Sequence, residues 1–68
     1  MTVNVTANGE PFDVPAARTV AEFIRDRGLH PQFVVVELNG EPLARSRYEQ
    51  VTLEDGDRIE LVRAVAGG

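Results

Sequence analysis

The sequence predicts an α+β fold in which one sheet of four or five strands is crossed by a single helix. Polar and apolar residues alternate on both sides of Asn8-Gly9, and a second Asn-Gly pair, Asn39-Gly40, follows an apolar segment; such pairs favour tight hairpin turns. One segment after Thr19 has the apolar spacing of a helix, and an alternating strand follows Gly56. The order of hairpin, helix, hairpin and last strand therefore predicts two layers around one core.

The first hairpin combines an alternating strand over residues 2–6, the turn Asn8-Gly9 and a return strand. Because Pro11 has no NH for the ladder, the return strand is expected at an edge of the sheet, and Pro15 is expected to end it.

The helix is predicted to begin at Thr19, whose hydroxyl and the carboxylate of Glu22 have the spacing of a capping box. Gly28 is expected just after its C-terminus. Ion pairs of Glu22 with Arg18 and Arg25 are expected on the exposed side. Three apolar residues share the face that packs on the sheet: Val20, Phe23 and Ile24.

The second hairpin starts with residues 33–38, which are apolar at nearly every position, as in an interior strand. If Val34, Val36 and Leu38 face the helix, Phe33 and Val35 lie on the opposite face. Residues 41–43 form the return strand, a brief helical turn is expected within 44–50, and Tyr48 is expected over the edge of the core.

The last strand, residues 58–63, is predicted after a turn at Gly56. Its alternation turns Ile59 and Leu61 inward and Val62 outward. The predicted core comprises Val3, Val5, Phe23, Ile24, Val36, Ile59 and Leu61.

Composition excludes several classes of function. The 68 residues carry a net charge of −4, and all seven basic residues are arginines spread among eleven carboxylates, so a nucleic-acid partner is not expected and a basic protein surface fits better. Without Cys there is no disulfide, catalytic thiolate or sulfur ligand for zinc. No apolar run suits a membrane span or a signal peptide, so a cytoplasmic location is expected.

Isolated polar residues have structural explanations. His30 is the only histidine, which favours a loop or surface role over a metal site. Asp55 and Asp57 flank Gly56, where aspartates commonly bond the backbone of their own turn, so calcium binding or acid-base catalysis is not expected there.

The C-terminal segment, Val65, Ala66, Gly67 and Gly68, suits chemistry better than packing. Two glycines form a thin strip of backbone that can enter a narrow passage, with the terminal carboxylate at its tip. That carboxylate is ionised at neutral pH and can attack the α-phosphate of ATP. A frayed terminus without function is the alternative.

A candidate docking face lies near this segment. Phe33, Val35 and Val62 are expected together on the face of the sheet that the helix does not cover, where they either contact a partner or are ordinary exposed apolar residues. Arg63, at an inward position just before the tail, either recognises a partner or marks where the strand leaves the core.

Several segments together match one known family in order and spacing: 38–41 and 53–60, Arg45 and Tyr48 between them, Thr19-Val20-Ala21-Glu22 with Gly28-Leu29, and the Val-Ala-Gly-Gly end. The resemblance, which covers nearly the whole chain, is to the ThiS family of small sulfur carriers in thiamin thiazole biosynthesis. It implies a ubiquitin-like β-grasp fold with a mixed sheet in which the first and last strands run in parallel. Residues 1–64 would form the β-grasp domain and residues 65–68 a flexible tail.

The resemblance also implies a cycle in which the chain is a cosubstrate and not an enzyme. An E1-like adenylyltransferase similar to ThiF would activate Gly68 with ATP and magnesium, neither of which the chain itself would bind. A donor such as a cysteine desulfurase would supply sulfur, and the resulting thiocarboxylate would serve a ThiG-like thiazole synthase. Alternatives are a molybdopterin synthase small subunit, a carrier for cysteine biosynthesis or another pathway, and a ubiquitin-like domain that binds partners without C-terminal chemistry.

Overall fold

The computed structural model describes residues 1–64, which form one sheet and one α-helix. Two short 3-10 helices, Pro31–Phe33 and Arg45–Arg47, flank the second hairpin. The α-helix α1 spans Val20–Asp26. The strands are β1 (Thr2–Ala7), β2 (Glu10–Pro15), β3 (Val34–Leu38), β4 (Glu41–Leu43) and β5 (Arg58–Arg63).

The sheet has the strand order β2-β1-β5-β3-β4. β1 and β5 are parallel, whereas β1–β2, β3–β4 and β3–β5 are antiparallel. β5 thus lies at the centre of the sheet, with the first hairpin beside it through β1 and the second hairpin beside it through β3. This arrangement confirms the mixed sheet packed on one helix.

Both Asn-Gly turns adopt the backbone that their sequence predicts. Asn8 and Gly9 have φ angles of 50° and 85°, and Asn39 and Gly40 have φ angles of 53° and 85°. Two successive positive φ angles match the right-handed twist of hairpin strands. β2 lies at an edge and ends at Pro15, as its prolines predict.

The amide groups of the first turn of α1 are satisfied by two different parts of the chain. The Thr19 hydroxyl accepts from the Glu22 amide at 3.1 Å, and the Glu22 carboxylate accepts from the Thr19 amide at 2.9 Å, which confirms the capping box. The amides of Val20 and Ala21 donate to the carbonyls of Val51 and Tyr48, each at 2.9 Å. The segment after β4 therefore fixes where the helix begins.

The C-terminus of α1 is closed by Gly28, which has a φ of 78°. The Gly28 amide donates to the Arg25 carbonyl at 2.9 Å, and the Leu29 amide donates to the Ile24 carbonyl at 3.2 Å. These two bonds form a Schellman motif, which satisfies carbonyls that would otherwise lack partners.

The predicted ion pairs of Glu22 are wrong. Arg18 lies 3.4 Å from Asp26, and Arg25 lies 2.7 Å from Glu49. The Glu22 carboxylate is already held by the Thr19 amide; this bond is the main reason that its pKa is lowered, with smaller contributions from the Thr19 hydroxyl and the two arginines. The arginines therefore lower the pKa of Glu22 from a distance and pair with other carboxylates.

The core lies between α1 and the inner face of the sheet and contains six of the seven predicted residues. Val3 is the exception, because it is only partly buried: β5 pairs with β1 only at Thr6 and Ala7, so no residue of β5 lies beside Val3. Tyr48 lies deeper than expected, with 3% of its surface exposed. The buried residues are Val5, Ala7, Val14, Val20, Ala21, Phe23, Ile24, Val34, Val36, Tyr48, Leu53, Ile59 and Leu61.

The start of β3 also differs from the prediction. β3 begins at Val34 because the preceding residues, Pro31–Phe33, form a 3-10 turn that His30 caps. The alternation within β3 is as predicted, with Val34 and Val36 buried and Val35 exposed.

Candidate functional site

The carboxylates beside Gly56 serve the fold. Asp55 accepts from the amide of Asn4 at 2.8 Å. Asp57 accepts from the amide of Glu54 at 2.8 Å and from the side chain of Asn39 at 3.0 Å. These bonds tie the turn before β5 to β1 and to the second hairpin. Asp57 bonds the backbone of its own turn, as predicted, whereas Asp55 bonds the backbone of β1 instead.

Asn39 connects the two motifs that carry the family resemblance. Its side-chain oxygen accepts from the Arg58 amide at 2.8 Å, and its backbone amide donates to the Arg58 carbonyl at 2.7 Å. The Asn-Gly turn therefore holds the end of β3 against the start of β5, and its role is to set the register of the two strands.

His30 is also occupied structurally. Its Nδ1 accepts from the amide of Gln32 at 3.1 Å, and the centre of its ring lies 5.3 Å from the centre of the Phe33 ring. Within residues 1–64, no three acidic or histidine side chains are grouped closely enough to hold a metal ion.

Val35 and Val62 are exposed on the face of the sheet opposite α1, as the sequence predicts, because their strand neighbours Val34, Val36 and Leu61 are buried. Phe33 is also exposed, but it belongs to the 3-10 helix before β3 and not to the sheet. Phe33, Val35 and Val62 are 52%, 47% and 59% exposed, and we call them the apolar patch. Val35 and Val62 are direct neighbours across β3 and β5. Adjacent exposed apolar side chains gain free energy when another surface covers them. The apolar patch is therefore a candidate contact surface.

The apolar patch borders the point where the chain enters its C-terminal segment. The amide of Ala64 donates to the carbonyl of Phe33 at 2.7 Å. Arg63 is exposed opposite Val34, although its position in the alternation points inward, because β5 ends there. Val65, Ala66, Gly67 and Gly68 lie outside the described residues.

Sequence reasoning missed the polar contacts that hold β5 and β3 in place. The side chain of Asn8 makes two hydrogen bonds to the backbone of Leu61, and the Tyr48 hydroxyl donates to the carbonyl of Val34 at 2.9 Å. In the sequence, Asn8 predicted a hairpin turn and nothing more. No residue close to Tyr48 in the sequence indicates that its hydroxyl bonds Val34, 14 residues away.

The described residues also include no helix that is both long and apolar enough to cross a membrane.

Comparisons with known proteins agree with this geometry. The sequence model of the ThiS family matches residues 3–68. Sulfur carrier protein ThiS of Bacillus subtilis is 38% identical over 50 residues, which cover 74% of this chain and 76% of that protein. A thiazole synthase of Paramagnetospirillum magneticum is 35% identical over 66 residues, and the chain spans only 20% of its length.

Solved structures show the same fold. The thiamine biosynthesis protein ThiS of Geobacter metallireducens superposes with a TM-score of 0.78 at 36% identity, over 97% of this chain and 100% of that one. A ubiquitin of Caldiarchaeum subterraneum superposes with a TM-score of 0.53 at 22% identity, over 100% of this chain and 98% of that one, which supports the fold alone. Since the family model spans the chain from β1 to the terminal glycines, the chain belongs to the ThiS family.

Proposed function

We propose that this chain is a sulfur carrier whose Gly68 carboxylate is adenylated and converted to a thiocarboxylate for thiamin thiazole formation. The observation that carries the proposal is the extent of the family match, which runs through the last four residues to Gly68. The related Bacillus subtilis protein is named as a sulfur carrier. Residues 1–64 would be the body that partners recognise, and residues 65–68 the segment that reacts.

The proposed reaction has two steps. A carboxylate oxygen of Gly68 attacks the α-phosphorus of ATP, pyrophosphate leaves, and an acyl adenylate forms. A hydrosulfide equivalent then attacks the acyl carbon and AMP leaves, so that a C–S bond replaces a C–O bond. If the donor is an enzyme persulfide, its outer sulfur attacks the acyl carbon and forms an acyl disulfide as AMP leaves. A second thiol then attacks the donor cysteine sulfur, which breaks the S–S bond, forms a disulfide between the two cysteines and releases the thiocarboxylate.

The chain would act as a cosubstrate, because other proteins supply the chemistry. An E1-like, ThiF-like adenylyltransferase would hold ATP and magnesium, and a cysteine desulfurase or similar protein would provide sulfur. A ThiG-like thiazole synthase would accept it, in keeping with the thiazole synthases that contain a segment similar to this chain. The use of ATP would be in keeping with a cytoplasmic location of the cycle.

The apolar patch and Arg63 would form the surface that docks on the adenylating enzyme. Phe33 and Val62 stand at the end of the sheet from which the tail departs, since the Ala64 amide is bonded to the Phe33 carbonyl. A partner that draws residues 65–68 into its active site must approach this end of the sheet. Covering exposed valine and phenylalanine side chains would favour such a complex.

Intact-mass analysis tests the proposal. The purified protein is incubated with the adenylating enzyme of the same organism, ATP, magnesium and sulfide, and we expect a mass gain equal to one exchange of oxygen for sulfur, confined to the C-terminal peptide. Omitting ATP is the control. Absence of any exchange would favour a non-covalent interaction domain. Transfer of the sulfur to a molybdopterin precursor or a cysteine precursor, with none to thiazole synthase, would assign another pathway.

A further inference from the structure

On the face of the sheet opposite α1, β3 and β5 place two pairs of identical residues directly opposite each other, and the two pairs are neighbours on that face. Val35 lies directly opposite Val62, and Glu37 lies directly opposite Glu60. All four side chains are exposed. Residues two apart on a strand share a face, so the two glutamates lie next to the two valines. They lie on the side of the apolar patch that points away from the tail.

The two glutamates are unfavourable neighbours in the isolated domain, because like charges directly opposite each other in a sheet repel. Residues 1–64 contain two ion pairs, Arg18–Asp26 and Arg25–Glu49, and neither involves this face. Arg58 lies on the same face, two residues before Glu60, but it makes no ion pair with either glutamate. Within residues 1–64, neither glutamate therefore has an ion-pair partner.

An open cleft of about 320 Å³ lies between the two glutamates and the adjoining strand. Glu37, Glu60, Arg58 and Thr6 contribute to its walls. A single arginine or lysine side chain from another protein fits this position. An arginine is the better match, since its planar group offers five donors and can contact two carboxylates at once.

We propose that Glu37 and Glu60 together receive a basic side chain of the adenylating enzyme that covers the apolar patch. This inference rests on the proposed function. The enzyme must draw in the tail, so its surface covers the apolar patch, which borders the tail through Phe33 and Ala64. Glu37 and Glu60 are the next residues of β3 and β5 on the same face, so a surface that covers the valines also meets the glutamates. The valines supply buried area, and the glutamates select a partner with a matching positive charge.

The test compares Glu37→Gln, Glu60→Gln and the double variant with Glu10→Gln, which removes the same charge from the edge strand β2. Affinity for the adenylating enzyme of the same organism is measured by titration calorimetry at low and high salt. We expect each single variant to bind about fivefold to tenfold more weakly at low salt, and the double variant to bind more weakly still. The differences should shrink at high salt, and Glu10→Gln should bind as the original chain does.

Thermal unfolding separates docking from folding. Removing one of two repelling charges should leave the melting temperature unchanged or raise it, so weaker binding in these variants would not reflect unfolding. The inference is overturned if the double variant binds as tightly as the original chain, or if only binding to thiazole synthase is weakened. At saturating enzyme the double variant should still gain sulfur. If the original chain gains none, the proposed function itself fails, whatever the affinities show.

Discussion

The side-chain amide of Asn8 is hydrogen-bonded to both the carbonyl and the amide of Leu61, although the two residues are 53 positions apart in the sequence. Its nitrogen donates to the Leu61 carbonyl at 3.1 Å, and its oxygen accepts from the Leu61 amide at 2.8 Å. The parallel pairing of β1 with β5 stops at Ala7 and Ile59. The Asn8 amide therefore acts as one further residue of β1 and holds the part of β5 that leads to the tail.

Replacing Asn8 by glycine isolates this contact, because glycine tolerates the positive φ of the turn. We expect Asn8→Gly to lower the free energy of unfolding by about 1 to 3 kcal/mol, since two hydrogen bonds are lost. Asn8→Ala should cost about 1 to 2 kcal/mol more than that, because it adds the left-handed strain. Urea denaturation gives both values. If Asn8→Gly were as stable as the original chain, the amide would have no part in anchoring β5.

Tyr48 closes the sheet beyond the end of β4. The last paired residue of β3 on that side is Val36, and the carbonyl of Val34 is bonded instead by the buried Tyr48 hydroxyl at 2.9 Å. Tyr48→Phe should destabilise the domain by about 1 to 3 kcal/mol, because a buried carbonyl loses its donor while the ring packing is kept. Chemical denaturation measures the loss. An unchanged midpoint would mean that water replaces the hydroxyl.

Glu22 gives the helix start a dependence on pH. Its pKa is lowered in the folded protein, chiefly by the bond from the Thr19 amide. Its charged form therefore stabilises the fold fully above the ordinary glutamate pKa of about 4.3, and this stabilisation is lost as the pH falls through the lower folded value. Glu22→Gln keeps an acceptor and cannot titrate. We expect the original chain to be the more stable of the two near neutral pH, and the difference to vanish in acid; a constant difference would contradict this.

A charge in the apolar patch should weaken binding to the adenylating enzyme without unfolding the domain. Val62 is 59% exposed, so Val62→Asp loses little packing within the monomer, whereas an aspartate covered by a partner would lie desolvated beside Glu60. We expect at least a tenfold rise in Kd, on the order of 1.4 kcal/mol. Val35→Asp should behave alike. Gln50→Asp adds the same charge on the helix side as a control, and equal affinities for all three variants would assign the patch to ordinary surface.

The position of the reactive carboxylate should matter as much as its identity. Deleting Gly68 moves the carboxylate back by about 3.5 Å, and adding one alanine moves it forward by a similar distance. Either change should slow the gain of sulfur on the order of a hundredfold. Gly67→Val should also block the reaction, through its bulk and its restricted backbone. Single-turnover mass analysis measures the rates, and unchanged rates in the shortened and lengthened chains would contradict adenylation at Gly68.

Local signals in the sequence were sufficient for most elements of the fold. Asn8-Gly9, Asn39-Gly40 and the Thr19–Glu22 capping box all form as predicted, since each depends on residues within three positions of one another. Alternation correctly turned Val35 and Val62 to the exposed face. The sequence determined these features because backbone geometry and the two-residue period of a strand are set locally.

Only the tertiary structure decided which distant groups meet. The register of β3 and β5 places Glu37 opposite Glu60, and the end of the β1–β5 pairing brings Asn8 to Leu61 and leaves Val3 partly buried. Arg18 and Arg25 likewise pair with Asp26 and Glu49, because the Thr19 amide already occupies Glu22. Such contacts follow from strand register and from competition among hydrogen-bonding groups of the whole fold, and neither is encoded in any single segment.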